Sequence, residues 1–186
     1  EVYLEETYRL DIPVLRRVSG GGTVMQGRGC LNYSVIKKNT DDLYATISST
    51  TCNVMKKCRE ALNAELRDVS IKGVSDLVFN GRKVSGNAQK RKKGSFLFHG
   101  TLLYNFDISN LENVLTLPDR QPDYRCNKSH HDFIQNMPIS KSLLMTSMKK
   151  EWDAHTLFEM SEFLTNETKK LAVSKYESDA WIYKFR

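Results

Sequence analysis

A chain of 186 residues, 40% hydrophobic and 27% charged with only four prolines and ten glycines, can bury a core of its own and is read as one globular domain over residues 1–186, neither fibrous nor disordered. Its longest apolar runs, such as SLLM at 142–145, are too short to span a bilayer, and the amino end EVYLEETYRL is too charged for a secretory signal. The net charge of +6 is local: the six basic residues between Arg82 and Lys93 are the whole excess, so a basic face spread over the surface is set aside.

In chain order, PVLRRV (13–18) and LNYSVI (31–36) have strand composition, with the glycine loop SGGGTVMQGRG held between them. From about Asp42 to Leu66, apolar residues recur at steps of three and four behind Asp41 and Asp42, which predicts one long amphipathic helix with those acids as caps. DLVF, Asn80-Gly81 and RKVSGNAQ then read as strand, tight turn, strand, because Asn and Gly both tolerate positive φ. A further turn at KRKKG returns the chain through SFLFHGTLLYNFD, which completes an antiparallel meander. Residues 107–115 predict a short capped helix, 117–129 a polar loop, SKSLLMTSM another short helix, and Glu151 to Val173 a surface helix packed on the sheet. Cys30, Cys52, Cys58 and Cys126 show no paired spacing, which suits free thiols in a reducing compartment, cytosol or an organelle matrix.

Two segments carry chemistry. In RRVSGGGTV, three consecutive glycines let main-chain amides approach a phosphate or carboxylate, although they also serve as plain turn material. No Gly-Lys-Ser/Thr follows, so this is not a Walker loop, and strand leads to strand, so it is not a dinucleotide fingerprint. In GRKVSGNA, Lys83 sits on a strand beside small residues, positioned to meet a phosphate or an acyl oxyanion; the bland alternative is a surface lysine on a hairpin. His99, Gly100 and Thr101 of FHGTLL would meet the same ligand across the meander. Lys90 to Lys93 read either as a solvated hairpin tip or as a rim that steers an acidic partner, and the lack of aromatic residues from Arg82 to Lys93 disfavours nucleic acid. Cys126, His130 and His131 are too few for a zinc site, and Cys30 or Cys126 alone is weak evidence for a nucleophile.

RRVSGGGTV, GRKVSGNA and HGTLL, in that order and at that spacing, resemble the lipoate-protein ligase A family, within the biotin/lipoate protein ligase catalytic domain superfamily. The resemblance covers about residues 5–115, with SHHDFIQNM a weaker match further on. It implies an α+β fold, a mixed, largely antiparallel sheet flanked by helices, and an ATP-dependent ligase. Such an enzyme makes lipoyl-AMP from lipoate and ATP, with Mg2+ accompanying the nucleotide, and passes the acyl group to a lysine of an acidic lipoyl carrier domain. Carried onto this chain, Arg17, Ser19, Gly20, Gly21 and Gly22 line the acyl and adenylate path, Val24 and Met25 lie near adenine, and Lys83 grips the acyl carbonyl and the phosphate. Asp76 takes the acidic position by the phosphates, and Ser85, Gly86, Ala88, His99 and Thr101 complete the set. Gln26-Gly27 stands where the family often has His-Asp, which leaves acyl specificity open. The resemblance also leads us to expect a missing N-terminal helix and strand, no C-terminal accessory domain and hence a separate accessory partner. An octanoyl or lipoyl amidotransferase that works through a cysteine thioester is the alternative enzyme, and a basic binding module the alternative without catalysis.

Overall fold

Buried and half-exposed side chains alternate without a break from Ser95 to Leu103, a period of two that makes this segment a strand with one face on a core. It is the second strand of a five-stranded sheet in the computed structural model, which describes residues 1–184. The order across the sheet is β1 (Cys30–Lys38), β5 (Ser95–Leu103), β4 (Arg82–Lys92), β3 (Asp76–Phe79), β2 (Ser70–Lys72). Every neighbouring pair is antiparallel, and among the described residues the lone parallel contact is a bridge between Lys83 and Ile134. Around the sheet lie α1 (Leu4–Arg9), α2 (Ile47–Asn63), α3 (Leu111–Val114), α4 (His130–Phe133), α5 (Lys141–Glu151), α6 (Glu162–Leu171) and α7 (Asp179–Ile182). No described helix is long and apolar enough to cross a membrane.

The expected meander is present. Asn80 at φ 46° and Gly81 at φ 76° turn β3 into β4, as their tolerance of positive φ allows. The next turn comes later than expected: Lys90, Arg91 and Lys92 stay in β4, and Lys93-Gly94, with Gly94 at φ 83°, reverses the chain. α2 crosses one face of the sheet and buries Val54, Met55, Cys58, Ala61 and Leu62 against Leu77, Val84, Phe96, Phe98 and Leu102. α5 adds Leu144 and Met148 to the same core. The helix begins at Ile47 rather than near Asp42, because Asp41 caps a separate 3-10 turn, Asp42–Tyr44, whose Tyr44 ring packs 5.3 Å from Phe96. Thr46 then caps α2 through a reciprocal pair with Ser49.

Two sequence expectations fail. PVLRRV forms no strand, so the glycine loop belongs to one long irregular segment and is not held between two strands. That segment is tied to α7 instead: Trp181 Nε1 donates to Arg16 O at 2.9 Å, and Arg16 Nε donates to Ile182 O at 2.9 Å. Nor is Glu151 to Val173 one helix packed on the sheet. α5 ends at Glu151, α6 starts at Glu162, and Leu157, Phe158, Met160 and Phe163 are exposed, because α2 and α5 already fill the core face. α1 and β2 went unnoticed in the sequence; six and three residues carry too little periodicity to be seen.

The basic stretch divides by strand alternation. Arg91 faces α2 and donates to Tyr44 O and Ala45 O at 2.9 Å, Thr46 O at 3.2 Å and Thr50 Oγ1 at 2.7 Å, while Lys90 and Lys92 project exposed from the opposite face. Arg91→Met therefore strips hydrogen bonds from the entry to α2 and is expected to cost about 2 kcal/mol in urea unfolding. Lys90→Gln, on the open face, should stay within about 0.5 kcal/mol of the parent.

Candidate active site

Strict alternation along β4 would put Lys83 on the same face as Ser85 and Asn87, which is the core face. The register shows why it is not there. Leu77 pairs with Ser85, yet the next β3 residue, Val78, pairs with Lys83, so Val84 is an extra residue and the strand bulges. Val84 and Ser85 are both buried, and Lys83 swings to the face that carries Asp76 and Gly86. Gly86 is small for a reason: a Cβ there would lie 3.1 Å from Lys83 Cε and 3.2 Å from Nζ.

The ammonium of Lys83 is held from beneath. Its Nζ lies 2.7 Å from Asp76 Oδ1, and the other carboxylate oxygen accepts from Tyr124 Oη at 2.7 Å. Burial, then the adjacent Asp76 charge, pushes the Tyr124 hydroxyl well above its ordinary pKa, so it remains a donor. Phe133 of α4 lies under this group: its ring is 6.0 Å from Lys83 Nζ, 5.1 Å from the Tyr124 ring and 4.6 Å from the buried Arg125 guanidinium. The segment after α4 is fastened to the bulge, with Gln135 N donating to Lys83 O at 3.0 Å and Gln135 Nε2 donating to Phe79 O. Arg82 completes the seam through the main-chain oxygens of His131 and Asp132.

The glycine loop closes on its own arginine. Arg17 Nη2 donates to Gly20 O and Gly22 O at 2.8 Å each, and Gly21, at φ +101°, makes the turn that brings those carbonyls together. The Thr23 amide and hydroxyl donate to Glu1 Oε2 at 2.7 and 2.9 Å, so a carboxylate already occupies a donor of this loop. Ser19 Oγ lies 2.6 Å from His99 Nε2. Burial first, and the Arg17 charge second, lower the His99 pKa below its ordinary range. Beyond it, Gln26, Thr101 and Asn32 form a closed ring of hydrogen bonds, with Gln26 Nε2 to Thr101 Oγ1 at 3.0 Å, Thr101 Oγ1 to Asn32 Oδ1 at 2.8 Å and Asn32 Nδ2 to Gln26 Oε1 at 3.0 Å.

These groups line one cleft of about 770 Å³. Of the residues singled out in the sequence, Arg17, Gly21, Gly22, Val24, Met25, Asp76, Lys83, Ser85, Gly86, Ala88, His99 and Thr101 all lie on its wall. Ser19 and Gly20 do not; they brace His99 and Arg17 from behind. Ser85 offers main chain only, since its buried hydroxyl accepts from Asn87 Nδ2 at 3.1 Å on the core side. Gly100 likewise leaves room on the core side, where a Cβ would fall 1.6 Å from Asn87 Oδ1. Tyr124, Arg125 and Phe133 were missed because they sit in a polar loop and a one-turn helix, whose only sequence signal is the aromatic residues themselves. Cys126 and His131 are exposed away from the cleft, and no group of three His, Cys, Asp or Glu among the described residues is arranged for a metal ion.

Residues 1–151 match the lipoyl protein ligase A/B catalytic domain family. Lipoate-protein ligase LplJ of Bacillus subtilis is 31% identical over 179 residues, which cover 96% of this chain and 51% of the relative. The chain spans about half the length of the curated relatives it matches. Among solved structures, a bi-partite lipoate protein ligase studied with its E2 lipoyl domain from Thermoplasma acidophilum superposes with a TM-score of 0.82 at 24% identity, over 100% of this chain and 76% of that one. A lipoate-protein ligase A bound with ATP gives 0.78 at 24% identity, over 98% of this chain and 76% of that one. Both similarities show the fold.

A depressed His99 pKa has a measurable sign. His99 should titrate by NMR with a midpoint below about 6.5, and Arg17→Gln should raise it. Its contribution to stability is complete above the unfolded value of about 6.5 and is lost as pH falls toward the folded one, where the unfolded chain binds the proton more readily.

Proposed function

The chain belongs to the lipoyl protein ligase A/B catalytic domain family, and from that premise we propose that it is an ATP-dependent ligase that forms lipoyl-AMP and transfers the lipoyl group to a lysine of a carrier domain. The observation that carries this reading is Lys83: a cation moved by a bulge onto the cleft face, held at 2.7 Å by Asp76, above a floor kept low by Gly86 and Ala88. Negative charge develops at two points in such a reaction. The first is the α-phosphate, whose oxygens gain charge as the lipoate carboxylate displaces pyrophosphate; the second is the carbonyl oxygen of the mixed anhydride as the carrier amine attacks and AMP leaves. One fixed ammonium serves both steps, because it is in place before charge develops.

The remaining wall residues take complementary roles in this reading. Arg17 and the Gly21-Gly22 turn face the phosphate, with the Thr23 amide free for an anion once Glu1 withdraws; that an acid already sits there supports an anion-binding loop. Val24 and Met25 give an apolar strip for adenine, while His99, backed by Ser19, and Thr101, within its ring to Gln26 and Asn32, border the acyl path. Neutral Gln26 and Asn32 present amides there, so the acyl pocket gains no charge from them. A magnesium ion would arrive with the nucleotide. Asp76 fits as one ligand only if it gives up a partner, since Lys83 and Tyr124 already engage both its oxygens. The amidotransferase alternative needs a thiolate in the cleft. None of the four cysteines lines it, and burial raises the Cys30 pKa.

The reading is tested by mass spectrometry of the protein with lipoate, ATP and an apo lipoyl domain, which should yield lipoyl-AMP and then lipoylated carrier. Lys83→Ala should slow adenylate formation by about 10²- to 10³-fold, the scale of removing one preorganised donor. Tyr124→Phe, which only loosens Asp76, should cost about tenfold and act on kcat more than KM. Turnover near the parent rate in Lys83→Ala would overturn the assignment.

A further inference from the structure

The cleft occupies only half of the sheet face on which it is built. On that face the residues stand in rows across β1, β5 and β4: Asn32, Thr101 and Gly86; then Ser34, His99 and Ala88; then Ile36, Leu97 and Lys90; then Lys38, Ser95 and Lys92. The first two rows border the cleft, which takes in Thr101, Gly86, His99 and Ala88. The outer two rows do not belong to it. Ile36 is 75% exposed although it is paired within a nine-residue strand, two residues from its end, with half-exposed Leu97 beside it and Lys90, Lys92 and Lys38 around the pair.

We propose that these outer rows, Ile36 and Leu97 within a border of Lys38, Lys90 and Lys92, are the seat of the acyl-accepting carrier, a protein domain that surrounds its target lysine with carboxylates. The inference rests on the ligase reading, which requires a protein acceptor at this cleft. Charge selects the occupant: β1, β4 and β5 contain no Asp or Glu, so the patch carries three lysines with no acid on its own strands to offset them. A second copy of this chain would bring like charge against like. Nucleic acid would want aromatic platforms, and here the central pair is aliphatic while Phe96 and Phe98 point into the core. An exposed apolar centre with a charged border suits a protein interface, the border guiding encounter and the centre holding the complex.

The placement also suits transfer. Rows of one face are about 6.6 Å apart, so the Ile36–Leu97–Lys90 row stands one step from His99 and Ala88 and two from Gly86, against which Lys83 lies. A carrier resting on the outer rows presents its lysine along the strands toward the cleft. Arg91 takes no part, being committed to α2 on the opposite face.

The test measures binding of an apo E2 lipoyl domain to the full chain by calorimetry at low and high salt, alongside pyrophosphate exchange with lipoate and ATP. The double variant Lys90→Glu, Lys92→Glu should weaken carrier binding by about tenfold or more at low salt and by less at high salt, with pyrophosphate exchange at the parent rate. Ile36→Asp, on a different strand, should weaken binding at both salts, and an unchanged urea midpoint shows that each variant is folded. Carrier affinity unaltered in both variants would overturn the proposal. So would a single-stranded oligonucleotide that binds more tightly than the carrier and depends on the same lysines. Carrier binding that depends on Lys90 and Lys92 supports the surface even in a protein that exchanges no pyrophosphate; that second result would overturn the adenylation reading alone.

Discussion

A lysine on an unbroken β4 at position 83 would turn to the core face, on the side of Leu77 and Leu102, where a lone ammonium costs several kcal/mol. One extra residue, Val84, removes that conflict and at the same time makes a site. The bulge turns Lys83 onto the opposite face, where Asp76 of the next strand neutralises it and Tyr124 holds Asp76. Much of the surrounding structure serves this one displacement. Gly86 yields space to the lysine stem, Gln135 captures the carbonyl that the bulge exposes, and Phe133 lies beneath the group.

The same face carries a gradient of chemistry along the strands. At the bulged end it is enclosed by the glycine loop and the 118–134 segment, and the charges there are paired: Lys83 with Asp76, and Arg17 with the loop carbonyls. At the hairpin end it lies open, and Lys90 and Lys92 are exposed to water. The opposite face is given to packing, and even its polar groups are used to build: Arg91 and Gln89 fasten the start of α2, and Asn87 binds Tyr33, Ser75 and Ser85. One sheet thereby separates stability from chemistry by parity, except at the bulge.

Local signals in the sequence were enough for the parts of this design that are local. Asn80-Gly81 announces its turn because both residues take positive φ, and α2 announces itself by apolar spacing over seventeen residues. The three glycine-containing motifs likewise marked one part of the cleft wall, from Arg17 to Val24, Lys83 to Ala88 and His99 to Leu103. The bulge left no such trace, since it exists only in the register between β4 and β3. Tyr124 lies 48 residues from the aspartate it holds, and nothing in a polar loop says which aromatic will turn inward. Reading KRKK as one tip missed its division because the strand continues through Lys92, and only the alternation of a strand separates Arg91 from its neighbours.

In the proposed reaction the bulge aims Lys83 at the reacting atoms of an acyl-adenylate. The decisive experiment is a crystal structure with a non-hydrolysable lipoyl-adenylate analogue. The analogue should lie in the cleft with Lys83 Nζ about 2.7–3.1 Å from its carbonyl or phosphate oxygen, and the glycine turn against the phosphate. An analogue bound elsewhere, or one bound in the cleft with Lys83 making no contact to it, would rule out this role for Lys83.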